Sequence, residues 1–148
     1  MTPTAYQAAA ARTLPANLSD RERLSMLALG VVGEWWEYRE ATDTPTENEE
    51  AGDVLWYIAG ICTVLGVDMA MLNALEPDFV SSVQALGYIC ESVKKHLYHG
   101  KALDKARILR GCQRLYTLID DGSDIGEIMA ANVAKLQARW PDGFRVCA

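Results

Sequence analysis

The chain has 148 residues, of which 50% are hydrophobic and 23% charged, and its formal net charge is -6. That length fits one domain with a proper core, and the composition lies away from disordered and collagen-like chains. The acid surplus argues against general nucleic-acid affinity, because neutralising phosphates needs an excess of Lys and Arg.

An Ala-rich stretch from Tyr6 to Leu14 suits a short first helix that Pro15 ends, with a loop through Asn17. Ser19 with Glu22 forms a capping box, and Leu24, Leu27, Ala28, Val31 and Tyr38 follow at helical spacing, which predicts a second helix to about Ala41. Thr44-Pro45-Thr46-Glu47 reads as a cap, a first-turn proline and an acidic third residue. The third helix should run to Leu65 and stop at Gly66. Its apolar run, Val54 to Val67, is too short to cross a bilayer and reads as a buried helix.

After Pro77, Val83, Leu86, Ile89 and Val93 carry a fourth helix to Leu97, closed by Gly100. A fifth spans Asp104 to Asp120, stopped near Gly122, and the last runs from about Ser123 to Trp140, where Pro141 ends it. No segment alternates as a strand would. The expected fold is therefore an all-α helical bundle in one domain, residues 1–148.

A weak internal echo runs through this pattern. Ala28-Leu29-Gly30-Val31-Val32-Gly33-Glu34 resembles Ala85-Leu86-Gly87-Tyr88-Ile89-Cys90-Glu91, and Gly66-Val67-Asp68-Met69 resembles Gly122-Ser123-Asp124-Ile125. Chance and a degenerate duplication, with repeats over 20–75 and 78–140, both account for these matches.

Charge is unevenly spread. Residues 1–75 hold four Arg, no Lys and eleven acids, whereas residues 76–148 hold ten bases and nine acids. The first half is thus a candidate cation site. Cys62, Cys90, Cys112 and Cys147 lack C-x-x-C spacing and read as reduced thiols, which with the absence of a leucine-rich leader makes the cytoplasm the expected compartment.

Glu34 and Glu37 stand three apart on the second helix, and Glu50 and Asp53 three apart on the third, so each pair projects from one helix face. Glu34 follows Leu27 by seven and Val31 by three, and Tyr57 follows Glu50 by seven and Asp53 by four, which sets the acids beside the apolar stripes. Carboxylates converging in a half-buried space raise one another's pKa unless a cation joins them. An all-oxygen cluster without His or Cys favours Mg2+, with Mn2+ as the alternative, over Zn2+, and so points to phosphate chemistry. The competing reading is a solvated acidic face paired with Arg39. His96 and His99 lack a third ligand and fit a helix-end role, and no P-loop, Rossmann glycine pattern or serine elbow is present.

Glu34-x-x-Glu37 followed by Glu50-x-x-Asp53 resembles the metal signature of the all-α nucleoside triphosphate pyrophosphohydrolases, the superfamily of MazG, dimeric dUTPase and dCTPase. Leu29-Gly30-Val31-Val32-Gly33-Glu34 and Gly52-Asp53-Val54-Leu55-Trp56-Tyr57 are similar to its helix contexts. Ala131-Asn132-Val133-Ala134-Lys135-Leu136 and Arg139-Trp140-Pro141-Asp142-Gly143-Phe144 resemble its C-terminal helix. The resemblance implies a helical bundle of the MazG-like type in which Glu34, Glu37, Glu50 and Asp53 hold Mg2+ on the phosphates of a nucleoside triphosphate, yielding monophosphate and pyrophosphate. Glu37, favoured over Glu49 as proton acceptor, and Glu50 are then the catalytic acids. Tyr57, Asn132, Lys135 and Arg139 look like substrate contacts, although Lys135 and Arg139 also fit a solvated helix end favoured by the macrodipole. The resemblance further implies a homodimer or homotetramer.

Two features depart from the family pattern. Trp35-Trp36 replaces small residues between the first two glutamates, and suits core or dimer packing or stacking on a base. The duplication would set Lys94 against Glu37 and Arg110 against Glu50, so the second half lacks the acidic site, leaving these cations to pair with acids or reach phosphates. A phosphoribosyl-ATP pyrophosphohydrolase-like enzyme and a catalytically silent helical interaction module are the rival readings.

Overall fold

The computed structural model describes residues 1–143; Phe144 and Cys147, both noted above, lie outside the described residues. Helix α1 (Pro3–Ala11) starts at Thr2, whose hydroxyl accepts from the Ala5 N–H. It therefore begins before Tyr6, because Thr2-Pro3 supplies a cap and a proline in the first turn. Its end also falls short of Leu14: Thr13 turns back, its N–H and hydroxyl both donating to the Ala10 carbonyl.

Helix α2 (Asp20–Glu40) opens with the reciprocal Ser19–Glu22 capping box expected of it. Helix α3 (Thr44–Leu65) is capped by Asp43, which corrects the reading of Thr44 as the cap. Asp43 accepts from the Thr46 N–H and hydroxyl, and a carboxylate there also complements the positive helix end. Gly66 ends α3 in the left-handed conformation, φ 69°. A 3-10 helix, Met69–Ala74, follows under an Asp68 cap; nothing in the periodicity signals it. Helix α4 (Ser82–Tyr98) begins at a second capping box, Ser81 with Gln84, and α5 (Lys105–Asp120) at Asp104. Helix α6 (Ile125–Arg139) begins at Asp124, just inside the Ser123 start expected, because Asp124 accepts from the Glu127 N–H. No strand occurs among the described residues, and the architecture is an all-α bundle.

Helix α3 is the axis of the bundle. It packs against α1, α2, α5 and α6, and its ten buried residues, all between Ala51 and Leu65, leave little of that stretch to solvent, whereas residues 44–49 are exposed. Leu27 of α2 and Leu55, Ile58 and Ile61 of α3 are fully buried, each worth about 1.5–3 kcal/mol of transfer free energy. The approach of α2 to α3 depends on Gly60, where a Cβ would stand 2.6 Å from a Leu27 methyl. Gln7 ties α1 to the end of α3, donating to the Val67 carbonyl and accepting from the Met69 N–H.

Helices α4 and α5 form a second packed pair, and α4 also lies against α2. In this half, Lys94 bonds Glu91 at 2.5 Å and Arg110 bonds Asp78 at 2.5 Å. Of the two roles open to these cations, pairing with acids is the one they take here. His96 Nδ1 lies 2.9 Å from the Lys101 carbonyl, a helix-end contact. Trp35 is buried in the core with its ring centroid 5.1 Å from that of Tyr38, whereas Trp36 is exposed. Cys62, Cys90 and Cys112 are free thiols, and burial pushes the Cys62 thiol up to about 12. No helix of the described residues is long and apolar enough to cross a membrane.

Candidate functional site

The α2–α3 pairing brings Glu34, Glu50 and Asp53 together. Each can offer one carboxylate oxygen to a point where all three lie within 4.8 Å of one another. Glu37, one turn beyond Glu34, is exposed at the rim and stands outside this trio, but its charge still acts on Glu34, Glu50 and Tyr57. Burial first, and then the charges of Asp53, Glu37 and Glu50, push the Glu34 carboxyl up to about 7. Burial, followed by Asp53 and Glu37, raises Glu50 in the same way. Burial and mutual repulsion thus both disfavour ionising Glu34 and Glu50 side by side.

Helix α6 supplies the counterweight. Lys135 Nζ lies 2.6 Å from Asp53 Oδ2 and 3.0 Å from Glu49 Oε1. Burial lowers the Lys135 pKa, but its hydrogen bonds to Asp53 and Glu49 outweigh that and raise it overall. Asn132, one turn earlier, is buried; its Nδ2 donates to Asp53 Oδ1 at 2.9 Å, while its Oδ1 accepts from the Tyr6 hydroxyl at 2.8 Å. From the sequence Asn132 looks like a substrate contact; in the structure its side chain is buried and bonds Asp53 and Tyr6.

Gly52 permits this closeness, since a Cβ there would stand 3.0 Å from the Asn132 side chain. The Tyr6 hydroxyl shares its proton between Asn132 and the Gly52 carbonyl, 3.1 Å away. Tyr6→Phe would strand a buried amide oxygen, for which the expected cost is ~1–3 kcal/mol. A lower urea midpoint with unchanged slope would register that loss; an unchanged midpoint would show that the Tyr6–Asn132–Asp53 chain bears no weight.

Beside the acids opens a cleft of about 300 Å³, lined by Glu34, Asp53, Trp56, Tyr57, Lys135, Arg139 and Trp140, among others. Acidic groups, two cations and three aromatic rings thus share one wall system of ligand-pocket size. Trp56 is fixed there by its indole N–H, which donates to Thr13 Oγ1 at 2.7 Å. Tyr57 packs edge-on against Trp56, centroids 4.9 Å apart, and lies across α2 at Gly30, where a Cβ would come within 2.0 Å of the Tyr57 ring. Arg139 is exposed, with its guanidinium 5.4 Å from the Trp140 ring centroid.

Of the residues singled out in the sequence, Glu34, Asp53, Tyr57, Lys135 and Arg139 line this cleft, Glu50 completes the acidic trio, Asn132 lies behind it and Glu37 at its edge. Tyr6 and Trp56 have no role in the sequence reading, and Glu49, weighed there only as a proton acceptor, is found paired with Lys135. Trp56 lies within a quoted motif and Glu49 beside one, whereas Tyr6 had only its burial-prone ring in an Ala-rich helix to mark it. Comparison with known families, with characterised proteins and with solved structures finds no match for this chain.

Proposed function

We propose that the chain is a Mg2+-dependent nucleoside triphosphate pyrophosphohydrolase, converting (d)NTP to (d)NMP and pyrophosphate in the housekeeping of nucleotide pools. The observation that carries this reading is the meeting of Glu34, Glu50 and Asp53 within 4.8 Å, at the mouth of a cleft that also holds cations and aromatic rings. The donor set suits a hard divalent ion: oxygen only, rich in acidic groups, and placed where burial and then the neighbouring carboxylates push Glu34 up to about 7. Glu34, Glu50 and Asp53 would hold the ion, with Glu37 joining from the rim. Bound Mg2+ supplies charge stabilisation at the phosphate oxygens and a readily deprotonated water.

The chain's own groups do the rest. Water adds to the α-phosphorus as the bond to the α–β bridging oxygen breaks, and its proton passes to a carboxylate. Glu37 is favoured over Glu49 for that part, because it stands one turn beyond Glu34 at the rim and its charge reaches both Glu34 and Glu50. Arg139 lines the same cleft and would meet the phosphates there, and the rings of Trp56 and Tyr57 would offer apolar surface to a base. The MazG-like resemblance also implies a homodimer or homotetramer. Exposed Leu29, Val32 and Trp36 on α2 and Val83 on the adjoining α4 are the apolar surface such an assembly would cover.

The test is a screen of common and damaged (d)NTPs with Mg2+, with products resolved by phosphorus NMR. Monophosphate plus pyrophosphate is expected from at least one of them. Orthophosphate as the released product would contradict the reaction class, and turnover of phosphoribosyl-ATP in preference to every (d)NTP would transfer the assignment to that substrate.

A further inference from the structure

We propose that Lys135 is a placeholder cation: its ammonium pairs with Asp53, one of the carboxylates a divalent ion needs, and ion and nucleotide together move it onto a phosphate. This rests on the pyrophosphohydrolase reading above. The ammonium lies 2.6 Å from Asp53 Oδ2, while Asp53 Oδ1 is already taken by Asn132 at 2.9 Å, so both oxygens of this ligand are engaged. An ammonium and a divalent ion on one carboxylate repel each other at contact distance, so a bound ion drives the Lys135 head away.

The head has somewhere to go. Lys135 stands between the aromatic cleft and a second cleft of about 340 Å³ lined by Pro45, Asn48, Glu49, Ala131 and Asn132, and it borders both. Its side chain is a third exposed, so the four-carbon stem can swing without disturbing the core. The backbone of α6 stays where it is, because buried Asn132, one turn away, keeps its grip on Asp53 Oδ1 and Tyr6. Asn132 is thus the permanent support of Asp53, and Lys135 the removable one.

Metal binding alone must therefore break two ion pairs, to Asp53 and Glu49. A triphosphate offers the displaced ammonium a new anion, so each ligand strengthens the binding of the other. The arrangement keeps the site weak for the metal until substrate arrives.

Mn2+ titrated into the full-length chain at about pH 8, followed by calorimetry and electron paramagnetic resonance, tests this in wild type, Lys135→Met and Arg139→Met. Each is measured with and without α,β-imido analogues of the four common deoxynucleoside triphosphates. Lys135→Met should bind Mn2+ roughly tenfold tighter than wild type when no nucleotide is present, and should lose about the same factor of the nucleotide-induced tightening. Lys135→Gln guards against an effect peculiar to Met and should follow the same direction. Equal or weaker Mn2+ binding by Lys135→Met would overturn the proposal, leaving Lys135 as a residue that orients Asp53. A matching tenfold gain in Arg139→Met would also overturn it, by reducing the effect to charge removal at a distance. Absence of Mn2+ binding in every variant and in wild type would refute the metal reading itself, which separates that failure from failure of the placeholder role.

Discussion

Glu50→Ala is expected to lower Mg2+-dependent pyrophosphate release by more than about 100-fold while leaving the helical circular-dichroism signal intact; loss of even an outer-sphere partner of a metal site typically costs ~10–100-fold. Glu50 lies near the start of α3 and outside the hydrophobic core, so the helix has no packing reason to need it. Its role is confined to the trio with Glu34 and Asp53. Glu47, exposed in the first turn of the same helix, is the matched control, and Glu47→Ala should leave turnover nearly unchanged. Full activity in Glu50→Ala would remove the trio from the chemistry, whereas no pyrophosphate release by the wild-type chain from any substrate tried would favour the silent interaction module.

The second large effect concerns pH. Glu34 in the folded chain is pushed up to about 7 against an ordinary 4.5, and Glu50 moves in the same direction. Between those values the folded state holds a proton that the unfolded chain releases, so acid favours folding. The stabilisation is fully present below about 4.5 and is lost as pH rises through about 7. The metal-free chain should accordingly show a lower urea midpoint at about pH 8 than at about pH 5.5. Mg2+ should raise the midpoint at about pH 8 and do less at about pH 5.5, where Glu34 already holds its proton. Glu34→Gln should flatten the metal-free slope. A midpoint that climbs with pH across this range, or one indifferent to Mg2+ at about pH 8, would mean the carboxylates do not crowd as described.

Helix ends are legible in the sequence where one unambiguous local signal marks them. Ser19 with Glu22 and the glycine at 66 mark the ends of α2 and α3 with signals that act within four residues, and such signals do not depend on tertiary packing. Misreadings arose where two caps competed or lay off the periodic pattern. Asp43 displaced Thr44 because its carboxylate reaches both the Thr46 N–H and hydroxyl, and Thr2-Pro3 started α1 ahead of its hydrophobic pattern. The 3-10 helix is too short to show a period at all.

Spacing of three on each of two adjacent helices singles out Glu34, Glu50 and Asp53, but it draws in Glu37 as well, which stands exposed outside the trio. Burial of Asn132 was not legible, because it comes from Tyr6 and Asp53, which lie 126 and 79 residues away in the chain. The exposure of Glu37 follows from its place one turn along α2, where the helix leaves the cleft, and spacing alone does not show where a helix leaves its neighbour. Lys135 was picked out by its helix face, but its partners Asp53 and Glu49 are set by how α6 docks on α3.

The most direct test of the central claim is Mn2+ binding to the metal-free chain in the presence of a non-hydrolysable triphosphate, read by electron paramagnetic resonance at about pH 8. The expected result is immobilised Mn2+ in the wild-type protein and none in a Glu34→Gln, Glu50→Gln double variant that retains its helicity. Equal Mn2+ binding by both proteins would place the ion elsewhere and contradict the account.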